Sequence, residues 1–326
     1  MTVQPVRPQP SGQVHVVFGT GPVGQAVIHE LLLRGHTVRA VNRGGRASLP
    51  AAVEVVSGDA GDPSFATRAA AGASVVYLAL NPPYHQWPEL FPRLQRGVLA
   101  AAAATGARLV AMENLYGYGP SRGRPLTEDL PLAATTRKGV TRAAMTAELL
   151  EAHRRGTVRV AIGRASDFFG PGVLVSAMAE RVFSPLLHGA RIQVVGDPDL
   201  PHTYTYIPDI GRGLVTLGER EQALGQAWHL PSPQTISTRQ FIQRIAGQAG
   251  VTARLQRVPS LLLRGVGLFN PGARELVEML YEFQEPWVVD HSKYARAFGD
   301  HATPLDAAIA QTLAWYRQRA LAPAAA

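Results

Sequence analysis

The chain predicts a doubly wound α/β fold, a parallel sheet covered on both faces by helices, with a smaller C-terminal α/β unit that binds substrate. Three observations lead there. Through the first half, short β-rich runs alternate with amphipathic or Ala-rich stretches of helical length, as a parallel sheet with helical crossovers requires. A glycine-rich turn stands between the first strand and the first helix. After Gly170 the rhythm gives way to Pro- and Gly-rich segments such as "VVGDPDLPHTYTYIPDIG", with longer helices separated by brief strands.

In chain order, "VHVVF" opens the sheet and a helix runs from Pro22 to about Arg34. "TVRAV" and "VEVV" are the next strands, followed by a short helix near 63–71 and the strand "SVVYLAL". A helix near 88–104, the strand "RLVAM", a helix carrying Lys138 and the strand "TVRVAIG" complete the array. The expected organisation is a flexible lead (1–13), a dinucleotide-binding domain (14–170), a mainly substrate-binding region (171–320) that returns to the sheet near 204–229, and a flexible tail (321–326).

Composition narrows the function. At 326 residues and 46% hydrophobic content a sizeable core is available. The absence of cysteine removes disulfides, thiolate nucleophiles and zinc–thiolate sites. The longest apolar runs are broken by Arg or Gly well short of the roughly 20 residues of a membrane span, so neither a membrane partner nor an anchor is expected, and the cytoplasm is the default location. A net charge of +8 comes from Lys and Arg scattered singly, which argues against nucleic acid and for solubility with affinity for an anionic ligand. The ten histidines show no metal-ligand spacing, so no metal is expected.

The turn "FGTGPVGQ" supplies Gly19, Gly21 and Gly24, with Pro22 and Val23 opening the helix. Glycines permit the tight turn, let backbone approach a pyrophosphate and allow close helix–strand packing, while the helix N-terminus faces the anion. The residues after the second strand discriminate between cofactors. An NAD site usually offers an acid there for the ribose hydroxyl, whereas this chain reads "RAVNRGGR", with Asn42, Arg43 and Arg46. An arginine pairs with a 2′-phosphate bidentately, so NADP(H) is expected in preference to NAD(H). The alternative for Arg43 and Arg46 is an exposed basic loop. Asp59 in "SGDAGD" is either an acceptor for the adenine amine or an ordinary turn residue.

From Val14 to about Phe298 the chain resembles the extended short-chain dehydrogenases/reductases, the Rossmann-like superfamily of nucleotide-sugar epimerases and dehydratases. The glycine turn, "SGDAGD", "NLYGYGP", "PLTEDLPL", "RASDFFGPG", "YTYIPDIGRGLVTLG" and "DHSKYARAFG" carry the resemblance, in order. The chain departs from the family at its catalytic places. Asn114 stands where the family has Ser or Thr, and on the later helix Lys138 and Arg142 take the places of the Tyr-x-x-x-Lys pair. Phe18 falls where the family's first glycine would.

What the resemblance implies is an atypical, degenerate site. Lys138 and Arg142, one helical turn apart, repel each other, and a cofactor's negative charge on that face would offset the repulsion. "KGVTRAAMTAE" is similar to the isoflavone-reductase-like reductases, where a lysine is the acid/base; the alternative is a lysine that only binds cofactor. A neighbouring arginine and an oxidised nicotinamide would lower the lysine pKa. Asn114 would orient the substrate oxygen by its amide N–H. Tyr116 or Tyr118 either supplies a phenol or packs beneath the substrate loop. By similarity, Ala79, Leu80 and Asn81 lead into a loop over the cofactor, Tyr84 lies near substrate, Asp167 faces substrate, and Arg164 braces the two domains.

These features together imply an NADP(H)-dependent atypical short-chain reductase acting on a carbonyl or activated double bond of a small molecule. The rivals are a nucleotide-sugar epimerase or dehydratase, and a non-catalytic NADP-responsive binding or regulatory protein. The resemblance also implies a homodimer packed through the helices near 88–104 and 134–156.

Overall fold

The computed structural model describes residues 11–267, 269 and 271–321; residues 1–10 of the expected lead and 322–326 of the expected tail lie outside them. The first half alternates as its sequence pattern requires. β1 (Ser11–Phe18), α1 (Pro22–Leu33), β2 (His36–Asn42), β3 (Glu54–Ser57) and α2 (Pro63–Ala69) are followed by β4 (Ala73–Leu78), α3 (Trp87–Thr105), β5 (Arg108–Glu113), α4 (Arg137–Arg154) and β6 (Val160–Arg164). Single 3₁₀ turns at Tyr84–Gln86 and Tyr116–Tyr118 lead out of β4 and β5.

The chain then leaves the sheet through β7 (Phe168–Phe169), α5 (Glu180–Leu187), β8 (Arg191–Val195), β9 (Pro201–His202) and β10 (Thr205–Tyr206). α6 (Ile207–Glu219) and β11 (Ala227–His229) rejoin it, and β12 (Ile236–Ser237), α7 (Thr238–Ala249), β13 (Arg254–Val258), α8 (Ser260–Gly267), α9 (Pro271–Val277), α10 (Ser292–Phe298) and α11 (Leu305–Leu321) complete the chain. The later strands are brief, as expected. Long helices are confined to α6, α7 and α11, because α5 and the α8–α10 segment are cut short by Pro and Gly.

The central sheet has seven strands in the order β11-β6-β5-β4-β1-β2-β3, every pair parallel. Its two faces are read directly from alternation along β1. Val17 joins α1 and α6 in one buried cluster, and Val16 and Phe18 join α2, α3 and α4 in another. α1 and α6 approach closely enough that a Cβ on Gly211 would stand 2.5 Å from the Ala26 carbonyl oxygen. A third cluster, from Phe169 and Phe183 to Phe241, Leu313 and Tyr316, gives the C-terminal unit its own core.

Local chemistry fixes the helix starts that matter for the site. The Asp62 side chain accepts from the Ser64 N–H with Pro63 at the first position of α2, and the Thr136 side chain accepts from the Gly139 N–H at the start of α4. Cap and sequence together set the rotation of α4. Its inward stripe is Lys138, Arg142, Met145 and Leu149, so these two cations point into the protein while Arg137 and Arg154 face outward.

Candidate dinucleotide and substrate site

The turn after β1 is a backbone cradle. Gly19 has φ +108°, donates its N–H to the Val41 carbonyl at 2.9 Å, and would drive a Cβ to 2.4 Å from the Ala79 carbonyl oxygen. A Cβ on Gly24 would lie 1.9 Å from the Gly19 carbonyl oxygen. Gly21, the N-cap of α1, has nothing within 4 Å of its Cβ position, and no side chain caps the helix. The free first-turn N–H groups of Val23 and Gly24 and the open space at Gly21 fit a pyrophosphate. Phe18, at the place of the family's first glycine, is fully buried beneath the second sheet face.

Asn42 ties the cradle to the next loop. Its Nδ2 donates to Thr20 Oγ1 at 3.0 Å and its Oδ1 accepts from the Gly45 N–H at 2.6 Å, which shapes the turn carrying Arg43 and Arg46. Both arginines are exposed and enter no ion pair among the described residues. Asp59 is held below the usual carboxylate range by the Gly61 N–H, against partial burial, and then by Arg93 at 2.9 Å. Ala79 donates its N–H to the Phe18 carbonyl at 2.9 Å and is buried; Leu80 is half-buried and Asn81 exposed.

On α4, Lys138 is fully buried. Its Nζ lies between Glu275 and Glu278, at 2.6 Å from the latter, and 4.4 Å from the Tyr84 ring centroid. The Lys138 backbone N–H also donates to Glu278, at 2.7 Å. Arg142 does not share these partners. It donates to the Met112 carbonyl at 3.0 Å and its guanidinium lies 4.5 Å from the Phe91 ring. Carboxylates of the chain itself, carried by α9 and the residue after it, therefore offset the charge of Lys138 in this structure.

The tyrosines divide by neighbourhood. Tyr84 donates to the Tyr116 hydroxyl at 3.2 Å, and both pack with Trp87. Burial and then the charge of Glu282 push the Tyr116 phenol well above its ordinary range, so the phenol keeps its proton. Asn114 Oδ1 accepts from the Tyr116 N–H at 3.3 Å. Tyr118 belongs to a different set: its hydroxyl accepts from Arg164 at 2.6 Å and donates to His229 Nε2 at 2.8 Å. His229 Nδ1 donates to the Asp290 carbonyl at 2.9 Å, and Arg164 Nε donates to Glu113 at 3.1 Å. Arg164 thus braces the carboxyl ends of β5, β6 and β11.

Asp167 pairs with the buried His202 at 3.0 Å. Beside them lies Glu282, 2% exposed, with Oε1 unpartnered. Burial and then the Asp167 charge push the Glu282 carboxyl well above its usual range. The sequence reading missed Glu275, Glu278 and Glu282. Their spacing of three and four in "RELVEMLYEF", carboxylates on one helical face of an apolar stretch, was the available signal.

Among the described residues no three His, Asp or Glu side chains converge on a metal position, and no helix is long and apolar enough to cross a membrane. A cleft of about 520 Å³ in the C-terminal half is lined by Thr203, Ser232, Thr235, Arg244, His291 and Asp306, none of them a residue singled out from the sequence.

The parallel sheet, the open glycine cradle at its carboxyl edge and the helices on both faces define a Rossmann-like doubly wound α/β protein. The chain belongs to the NAD dependent epimerase/dehydratase family, whose model matches residues 15–230. A dTDP-glucose 4,6-dehydratase of Streptomyces griseus is 24% identical over 223 residues, a match that spans 68% of this chain and 62% of that protein. The UDP-N-acetylglucosamine 4-epimerase of Bacillus cereus superposes with a TM-score of 0.75 at 15% identity, over 96% of this chain and 99% of that one. WbmH of Bordetella bronchiseptica, solved in complex with NAD+, gives 0.70 at 17% identity, over 94% and 99%. At these identities the structural likeness is one of fold.

Proposed function

We propose that this chain is an NADP(H)-dependent atypical short-chain reductase acting on a carbonyl or activated double bond of a small molecule. The observation that carries the reading is Lys138: at the place of the family's tyrosine stands a buried ammonium, 4.4 Å from the Tyr84 ring. In support of NADP(H), Arg43 and Arg46 stand exposed after β2, with no acid among Asn42–Arg46 to repel a 2′-phosphate.

When bound, NADPH supplies the hydride. The chain does the rest. The Val23 and Gly24 N–H groups hold the pyrophosphate, and Arg43 and Arg46 hold the 2′-phosphate. The Asn114 amide donates a hydrogen bond to the substrate oxygen, and Lys138 Nζ donates the proton that this oxygen acquires, leaving a neutral amine that water reprotonates. Glu275 and Glu278 fix Nζ by two of its three N–H groups, which leaves the third for the substrate oxygen. The relatives favour a second reading, interconversion of a nucleotide-sugar. It is weaker because those reactions need an efficient acid/base and the tyrosine is missing.

The test joins binding to turnover. NADP+ is expected to raise the melting temperature more than NAD+ at matched concentration. NADPH oxidation across a panel of carbonyls and enones is expected to fall by about two to four orders of magnitude in Lys138→Met, with NADPH affinity within a few fold of the parent. Full turnover in that variant with normal NADPH binding removes the lysine mechanism and makes Tyr116 the donor to test.

A further inference from the structure

The amino ends of the strands, opposite the glycine cradle, hold another polar cleft. It measures about 340 Å³ and is lined by Gln13, His15, Ser74, Arg108, Arg159 and Glu219. These come from the starts of β1, β4 and β5, the residue before β6, and the end of α6.

His15 is 1% exposed; its Nδ1 meets the Tyr77 hydroxyl at 3.2 Å, and its Nε2 has no partner. Burial and then the charge of His36 lower the His15 pKa to about 4, so at neutral pH the ring carries a single N–H. Tyr77, whose phenol is held protonated by burial, has no other hydroxyl partner among the described residues and therefore donates to Nδ1. The imidazole proton then sits on Nε2. The His36 ring, 4.2 Å away between centroids, does not take it up, since its own Nδ1 is also unpartnered. A buried donor without an acceptor is costly, and a ligand oxygen in the cleft satisfies it.

The charged groups of the wall select the kind of oxygen. Glu219, the one carboxylate of the lining, is spent: Oε2 accepts from Arg34 at 2.6 Å and Oε1 meets His36 at 3.0 Å. Arg108 donates to the Gly218 carbonyl at 3.1 Å and to Glu221. Arg159 is exposed, and among the described residues its one carboxylate neighbour is Glu221 at 4.0 Å, beyond hydrogen-bond reach. A neutral buried N–H and an unspent guanidinium on one cleft match an oxyanion.

We propose that this cleft binds a small molecule through a carboxylate or phosphate group, with the His15 Nε2–H and the Arg159 guanidinium as donors. The site stands apart from the proposed reduction and does not rest on it.

Titration of histidine-15N-labelled protein with inorganic phosphate and, separately, with citrate at constant ionic strength tests it by nuclear magnetic resonance. The His15 ring, identified by its Overhauser contacts to the rings of Tyr77 and His36, is expected to shift saturably with at least one of the two anions. Response to one alone upholds the site and names its oxyanion. Arg159→Ala, an exposed change, is expected to raise the half-saturation concentration at least about tenfold, and Glu221→Gln to lower it. Repeating the titration with NADP+ at saturation separates this cleft from the glycine cradle, and an unchanged half-saturation is expected. A drift without saturation for both anions, an Arg159→Ala protein that responds like the parent, or competition by NADP+ overturns the proposal.

Discussion

Two buried charge networks meet on α4, and they are assembled in opposite ways. In the first, Glu113, Arg164, Tyr118 and His229 come from the ends of adjacent strands and the turn after β5, and Thr146 of α4 donates to Glu113 at 2.8 Å. In the second, Lys138 reaches carboxylates 137 and 140 positions later in the chain, on a short helix that packs by the Tyr84 turn. The first network shares its backbone with the sheet, so it cannot open without disturbing strand ends. The second is held by side chains of a segment outside the sheet, so it can open while the sheet stays intact. Similar ion pairs therefore do different work, one bracing the strand ends and the other neutralising the buried ammonium of Lys138.

Breaking each network separately tests that contrast. Glu113→Ala leaves Arg164 buried without its carboxylate and is expected to cost about 3 to 5 kcal/mol in urea unfolding. A loss below about 1 kcal/mol would show that the brace is not one. Acid comes next in size. Burial, and then the Arg164 charge, lowers the His229 pKa to about 3, so the folded state binds its proton far less readily than the unfolded chain does near 6.5. Stability from this group is complete above pH 6.5 and declines as pH falls toward 3, by roughly 3 kcal/mol at pH 4.

The second network responds in a lower window. Burial raises the Glu275 pKa, but the hydrogen bond and charge of Lys138 outweigh it and set the carboxyl below 4.5, so its contribution is complete above pH 4.5 and is lost as pH falls from there through that lowered value. Unfolding free energies measured from pH 7 to 3 are expected to decline before Glu275 titrates; a flat profile down to pH 4.5 would reverse the order. The smallest effect belongs to Glu278→Gln, about 1 kcal/mol in the same assay, because Glu275 remains on Nζ and the amide keeps the contact to the Lys138 N–H.

The sheet and the cradle were legible because their signals are local. Alternation along Val16, Val17 and Phe18 assigns the two faces, and three glycines between a strand and a helix report a backbone that must come close to something. The partners of Lys138 were not legible. Its helix showed two cations on one face, and the sequence suggested that a cofactor's charge would offset their repulsion. The structure supplies a closer offset from Glu275 and Glu278, and turns Arg142 onto Phe91. A contact between residues so far apart leaves no trace in local periodicity. The carboxylates at 275, 278 and 282 marked a face with something to meet, without naming what.

The order of strands in the sheet also has a history in time. β6 lies beside β5 on one edge, and its other edge is covered only by β11, whose residues Ala227–His229 leave the ribosome after α5, the excursion strands and α6. Until then the nascent chain carries a buried-type strand, Val160–Arg164, with one row of backbone groups open to any passing strand. The same three residues that close this edge bring His229 to Tyr118, so the interval of exposure to mispairing ends, and the brace locks, in a single event late in synthesis.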